Sequence, residues 1–444
     1  MGRIRTLPER HGKAVLVALC VILLVGFGLR LIGVLDPIDS SYQGADAARY
    51  ERIAALLYTD QRFAVPGSDA PYDWSPGAPL FYAGIYYVTG GVHPAVARLA
   101  IALLGLVTIV ICYLLGRRLS GAAGGLVAAL LAATYPAFVF NTGRLLSEPI
   151  AEVTVPGAVL AFLWALEKRP LWAWLAPGAL IGASALARPE YLLVGAGLAL
   201  LALIKVGLDR GLRPGIVAGA ALAVAFAAPI APWALHVSSE VGRFVPVTTG
   251  GGKALFIGSY LPGDGIHDRV KIELMERYLG MRDVTPEQRA RQPMEPLLDR
   301  VAAKYPDLPR DAALNRIGRE NLVRYVREQP LAVAGMIVNK MRWMWRGSSG
   351  AMLSPAAVVL QVAILVFAVV GLALLAWRHR FEALLLGGLI LGLTVFSGIV
   401  LAAPRRNLAL MPLVMTLAAT GVVGVVAYAR AALATRALQP RLDP

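Results

Sequence analysis

Gly44-Ala-Asp-Ala-Ala-Arg-Tyr-Glu-Arg-Ile-Ala-Ala-Leu-Leu-Tyr58 directly follows the first long apolar run of the chain. Tyr50, Ile53, Ala54 and Leu57 recur at helical spacing, so the stretch reads as a short amphipathic helix with these residues on one face. Arg49 and Arg52 fall on the opposite face. Asp46 lies in the first turn, one helical repeat before Tyr50, and can share its face. A carboxylate there can simply cap the helix, stabilised by the N-terminal dipole by about 0.3–1 kcal/mol. Beside a membrane span it can also act as a general base. The rest of the chain bears on that choice.

The 444 residues are 57% hydrophobic and only 16% charged, with a mean hydropathy of +0.63. Soluble proteins carry about 25% charged residues. The expected class is an all-α polytopic membrane protein. The net charge of +15 invites a nucleic-acid reading. The basic residues, however, sit in short loops between apolar runs, which is a pattern of topology rather than of phosphate binding. Cys20 and Cys112 both lie inside apolar runs and act there as small hydrophobes, so no disulfide framework is expected.

Apolar runs at about 14–35, 95–115, 121–140, 150–166, 171–187, 191–205, 216–235, 356–377, 383–402 and 408–428 give about ten transmembrane helices. The first run resembles a signal peptide without a small-x-small cleavage site, so it reads as a retained span. Arg3, Arg5, Arg10 and Lys13 precede it and should keep the N-terminus cytoplasmic. Each loop then inferred to be inner carries two or more Lys/Arg, including Arg117-Arg118, Lys168-Arg169 and Arg378/Arg380. Both termini are therefore expected inside, in a multi-pass protein of the plasma (inner) membrane. Residues 1–236 form an N-terminal module whose first outer loop, 36–90, contains Asp36, Asp39, Asp46, Asp60, Asp69 and Asp73. Residues 237–350 form one larger outer loop, and 351–444 a C-terminal module.

Within the first loop, 71–79 is too rich in Pro and Gly for regular helix, and 80–88 is apolar but too short to span. Trp74, Tyr82, Tyr86 and Tyr87 suit a membrane interface. Pro229 and Pro232 predict a kink late in the seventh span. In the large loop, 250–258 reads as a flexible glycine turn and 286–327 as short polar helices. Residues 331–345, with Lys340, Arg342, Trp343 and Trp345, read as an amphipathic helix lying in the interface.

This topology gathers Asp46, Asp73, Glu148, Arg188, Glu190, Lys253, Arg405 and Arg406 at the outer boundary. Ionisable groups hard against spans usually serve a purpose. Each has a plain alternative: Glu148 can cap a helix with Pro149 at its first position, and Arg188 can snorkel. Arg405 and Arg406 can be interfacial anchors, and Lys253 can be solvated. Together, carboxylates and cations at one leaflet suit an anionic lipid head group and a proton acceptor. No HExxH, CxxC or P-loop is present, Gly121-Ala-Ala-Gly-Gly125 opens a span rather than a nucleotide fold, and no metal-ligand spacing occurs.

Several motifs in order resemble the integral-membrane glycosyltransferases of the C-type fold. The resemblance is to the branch of protein O-mannosyltransferases and lipid A aminoarabinose transferases, glycosyltransferase family 39. Asp46-Ala-Ala-Arg-Tyr50 is similar to that branch's acidic motif, whose Asp is taken as the catalytic base. Pro76-Gly-Ala-Pro-Leu-Phe-Tyr82, Leu146-Ser-Glu-Pro149, Ala187-Arg-Pro-Glu190 and Pro229-Ile-Ala-Pro-Trp233 resemble later landmarks, as do 250–258 and 329–345. Arg405-Arg-Asn-Leu-Ala-Leu-Met-Pro412 resembles the Arg-Tyr-x-x-x-Pro lead-in to a late span. Two departures stand out: Asn407 occupies the usual Tyr position, and Ala47 follows Asp46 where many members have Glu. A second acid would then come from Asp73 or Glu148.

The resemblance implies sugar transfer from a polyprenyl-phosphate donor to a glycan, lipid or protein acceptor, with inversion and with no cofactor or obligatory metal. Asp46 would be the base, with Tyr50, Asp73, Glu148, Arg188, Glu190, Lys253, Arg405 and Arg406 binding substrate. Nucleotide sugars stay in the cytoplasm, so an outward site needs a lipid-carried sugar. The alternative is a transporter or flippase for lipid-linked or small-molecule cargo. It calls for ionisable groups at mid-membrane depth, whereas those in the sequence read as sitting at span ends.

Overall fold

The computed structural model describes residues 9–36, 44–64, 71–168, 170–346 and 354–438. Arg3, Arg5, Asp39, Asp69, Arg169 and Arg441 lie outside these residues. The first half holds α1 (Glu9–Leu35), α2 (Gly44–Thr59), α3 (Gly77–Thr89), α4 (Pro94–Thr134), α5 (Pro136–Asn141), α6 (Glu148–Glu167), α7 (Leu175–Ala187), α8 (Tyr191–Arg210) and α9 (Leu212–Val241). The second holds α10 (Gly251–Ser259), α11 (His267–Leu279), α12 (Pro286–Arg291), α13 (Glu295–Ala302), α14 (Arg310–Glu328), α15 (Pro330–Trp345), α16 (Pro355–Arg378), α17 (Arg380–Ile399) and α18 (Met411–Leu438). Among the described residues the chain is helical, with a lone parallel bridge between Ile266 and Ala402.

Among the described residues, eight helices are long and apolar enough to cross a membrane, fewer than the ten runs in the sequence. Two causes account for the difference. The runs at 95–115 and 121–140 share α4, whose backbone leaves helical geometry at Ser120 and Gly121, the latter at φ +79°. The two arms fold back on each other there. A Cβ on Gly125 would sit 2.7 Å from the Tyr113 carbonyl, a contact that about 18 Å of straight helix would forbid. The run at 171–187 forms a single 3₁₀ turn and then the 13-residue α7, short for a span. Helix α9 continues through Pro229 and Pro232 without a break in its assignment.

Arg30 corrects the expectation that ionisable groups keep to span ends. It lies within α1, 1% exposed, and donates to the carbonyls of Gly26, Ala132 and Ala133. The reason is local. Pro136 lacks the N–H that would pair with the Ala132 carbonyl, and the guanidinium supplies the missing donor. A Cβ on Gly105 would come within 2.2 Å of Arg30 Nε, so glycine is what lets α1 seat against α4. Glu152, one turn into α6 from Glu148, is also buried, and its Oε1 has no hydrogen-bond partner. Cys112 is buried and Cys20 exposed, both free.

The segment 251–302 and helix α14 build a separate small core around Phe256, Leu274, Leu298 and Leu314. Four expectations change here and in the first loop. Gly251–Ser259 is a helix rather than a flexible turn. Its glycines let the Asp311 carboxylate reach the first amides, where Gly252 N and Lys253 N donate to Oδ1 at 2.7 and 3.1 Å. Helix α3 begins at Gly77 and takes in Pro79, because the first turn needs no donor from Pro. Tyr82 and Tyr86 are fully buried rather than interfacial, and Tyr82 donates to the Leu146 carbonyl at 2.6 Å, while Tyr87 remains exposed. In α15, Lys340 is fully buried instead of reaching for head groups. It donates to the carbonyls of Gly258 and Ile399, tying the small core to the end of α17.

Candidate active site

A cavity of about 540 Å³ opens at the end of the bundle where α2, α6, α8 and α18 begin. Eight of the nine residues singled out from the sequence line it. The ninth, Glu148, stands behind Arg188 and is 1% exposed. Asp46, Glu148, Lys253 and Glu295 each occupy the first turn of a helix. Helix N-termini carry unpaired N–H groups and partial positive charge, so this end of the fold favours anions.

Helix α2 forms as expected, with Tyr50, Ile53 and Ala54 buried. Arg49, however, turns toward the cavity and not away from it. It stands 5.1 Å over the Trp74 ring and meets Glu295 at 3.2 Å. Positions i and i+3 share a helix face, so Asp46 and Arg49 point to the same side. Tyr50 packs edge-on to Trp74. Burial and the nearby Glu148 push its phenol up to about 12, so it stays protonated and can only donate or accept a hydrogen bond.

The ionisable groups form a continuous chain. Asp46 is ion-paired with Arg405. Arg405 Nε reaches Glu148 Oε1 at 3.3 Å, the oxygen that also accepts from Arg188 Nη1 at 2.9 Å. Arg188 Nε donates to Glu190 at 2.9 Å. Burial would raise the Glu190 carboxyl, but Arg188 and Arg406 outweigh it and hold it at about 2. Arg406 differs from its neighbours: its Nη1 is buried and lacks a partner. The lead-in to α18 fixes this arginine pair through the Ile266–Ala402 bridge on one side and Asn407, whose amide donates to the Met344 carbonyl, on the other.

Two clasps join the first loop to the small core. Asp73 accepts from Arg310 at 2.9 Å and from the Thr249 hydroxyl at 2.7 Å. Glu295 takes Arg49 and Lys253 together, and those cations outweigh burial to hold it at about 2. Glu295 and Arg310 were missed in the sequence, because they lie in a polar stretch with no apolar landmark to mark them, and Arg49 was read as lying on the opposite face of α2. Of the two candidates for a second acid, Asp73 is engaged in a clasp and Glu148 anchors two arginines. Among the described residues no group of three His, Cys, Asp or Glu side chains is placed to hold a metal ion.

In sequence, residues 70–233 match the dolichyl-phosphate-mannose-protein mannosyltransferase family. No curated protein matches the chain. In structure it is similar to the Archaeoglobus fulgidus oligosaccharyltransferase in the apo form, with a TM-score of 0.55 and 15% identity over 97% of this chain and 53% of that one. The AglB oligosaccharyltransferase of the same organism, in complex with an inhibitory peptide and a dolichol-phosphate, gives 0.55 and 14% over 98% and 52%. Cupriavidus metallidurans ArnT bound to undecaprenyl phosphate gives 0.40 and 16% over 94% and 78%. The chain spans about half the length of the archaeal enzymes. It is a multi-pass membrane protein of the C-type glycosyltransferase fold, and its residues 70–233 are similar in sequence to the dolichyl-phosphate-mannose-protein mannosyltransferase family.

Proposed function

We propose that the chain transfers a sugar from a polyprenyl-phosphate donor to an acceptor hydroxyl on the outer face of the membrane. The observation that carries this is the arginine pair beside Asp46. Arg405 neutralises the carboxylate, while Arg406 faces the same cavity with a buried, unpartnered Nη1. A phosphodiester is the ligand that completes such a guanidinium. Sidedness follows from charge. The opposite end of the bundle holds Arg117, Arg118, Lys168, Lys205, Arg210, Arg378 and Arg380, which favours that end being cytoplasmic. The cavity then faces outward, beyond the reach of nucleotide sugars.

In the resting site Asp46 is masked by Arg405. An arriving donor phosphate competes for that guanidinium and releases the carboxylate. Asp46 then takes the acceptor proton as the oxygen attacks the anomeric carbon from the face opposite the phosphate. The anomeric C–O bond to phosphate breaks, its electron pair leaves on polyprenyl phosphate, and configuration inverts. Arg405 and Arg406 stabilise the growing phosphate charge. Arg188, doubly paired already, holds Glu148 and Glu190 in place rather than gripping the donor first.

Transport of lipid-linked cargo is the second reading, favoured by one observation, the buried Glu152 inside the bundle, whose Oε1 has no hydrogen-bond partner. Asp46→Asn separates the two. Transfer from a synthetic polyprenyl-phosphate sugar by the purified protein should fall at least about 100-fold, with melting temperature and donor binding retained. Near-normal transfer would remove Asp46 as the base, and lipid translocation without transfer would favour transport.

A further inference from the structure

A second cavity lies at the end of the bundle far from Asp46. Helices α16 and α18 run parallel and meet closely where a Cβ on Gly371 would lie 1.9 Å from the Leu417 carbonyl and one on Gly421 2.1 Å from the Phe367 carbonyl. Past that contact, the helix ends and the turn at Ser120–Gly121 of α4 enclose about 600 Å³. The walls are apolar, with Leu119, Leu374, Leu375 and Val423. The floor is a hydrogen bond between Ser120 and Thr420 hydroxyls at 3.2 Å. Arg378 and His379 form the rim, both exposed, and neither has a carboxylate within ion-pair distance among the described residues.

We propose that this cavity binds an anionic phospholipid, with its phosphate at Arg378 and His379 and an acyl chain between α16 and α18. Three features select that occupant. The rim is cationic and lacks the carboxylate partners that neutralise the arginines of the other cavity. The walls are those of a hydrocarbon slot. Two aromatic side chains stand at the same level and face outward, Trp377 at 88% and Tyr428 at 78% exposure. Such aromatics sit at head-group depth in a bilayer, so the Arg378 guanidinium and the His379 ring stand at the height of lipid phosphates. The site is independent of the sugar-transfer chemistry, and its lipid would brace α16, α18 and the α4 turn.

The test uses the purified full chain, stripped of lipid in detergent and titrated with dioleoyl phosphatidylglycerol or dioleoyl phosphatidylcholine while bound lipid is counted by native mass spectrometry. Wild type should hold one phosphatidylglycerol about tenfold more tightly than phosphatidylcholine. Arg378→Ala combined with His379→Ala should erase that preference. Ala427→Trp, which fills the cavity and leaves the charges intact, should also lose the bound lipid. Melting temperatures without added lipid check that both variants fold. Equal retention of the two lipids by wild type overturns the proposal. So does retention by Ala427→Trp, which would mean surface charge alone binds lipid.

Discussion

Helix α6 carries a glutamate near each end, and the two live in different worlds. Glu148, at the active-site end, is 1% exposed and shares one oxygen between Arg188 and Arg405. Glu167, at the other end, is 56% exposed and meets Arg118 at 2.6 Å. The shorter ion pair is the less important one. An exposed pair gains little over two solvated charges, and the median contribution is about 0–1 kcal/mol. A buried carboxylate flanked by two arginines cannot lose its charge without stranding theirs. Distance alone does not rank these contacts; burial and the number of partners do.

Glu148→Gln should therefore have the largest effect. Breaking a buried ionic network at one partner costs about 3–5 kcal/mol, and Arg188 and Arg405 would both lose their anchor. Transfer should fall at least about 100-fold and the melting temperature in detergent should drop by several degrees. A melting curve like that of wild type would mean the ion pairs of Glu148 do not hold this end together and would collapse the contrast between the two ends.

Arg30→Met extends the contrast to the interior. It leaves the Ala132 and Ala133 carbonyls without the side-chain donors that now serve them, at about 1–3 kcal/mol for an orphaned group. Stability should fall while donor affinity stays level. Loss of donor affinity without loss of stability would move Arg30 from the scaffold to the site. Arg188 sharpens the comparison at the cavity itself. Arg188→Ala should weaken donor use about tenfold, and Arg188→Lys less so, because lysine can keep the charge but cannot span Glu148 and Glu190 together. Equal behaviour of the two variants would make charge, not the forked geometry, the relevant property.

The acid response gives a smaller, pH-resolved check. Glu190 and Glu295 are both held at about 2, below the ordinary glutamate value of about 4.3. A depressed carboxylate contributes stability above its unfolded value, and that contribution is lost as pH falls toward the folded value. Wild type should lose melting temperature between about pH 4.5 and pH 2, and Glu190→Gln should show a shallower slope there. Identical slopes would mean the pairing with Arg188 is not formed in solution. Smallest of all, Glu167→Gln should shift stability by no more than about 0.5 kcal/mol. A larger shift would show that the far end of α6 is as tightly built as the near end.

Much of this was legible in the sequence, for a physical reason. A bilayer satisfies no backbone groups, so membrane segments must be helical and their length and apolarity read directly from the chain. Periodicity likewise fixed α2 and its buried Tyr50, Ile53 and Ala54, and alternation of basic loops brought Asp46, Glu148, Arg188 and Arg405 to one end. What tertiary structure alone decided is which charge meets which. Arg49 faces the cavity because Glu295, 246 residues further along the chain, waits there. Lys340 is buried because two carbonyls from separate helices converge on it. Arg30 sits inside the bundle because Pro136 leaves a carbonyl without a donor. Pairing of charges depends on distances between segments remote in sequence, and no local pattern encodes those distances.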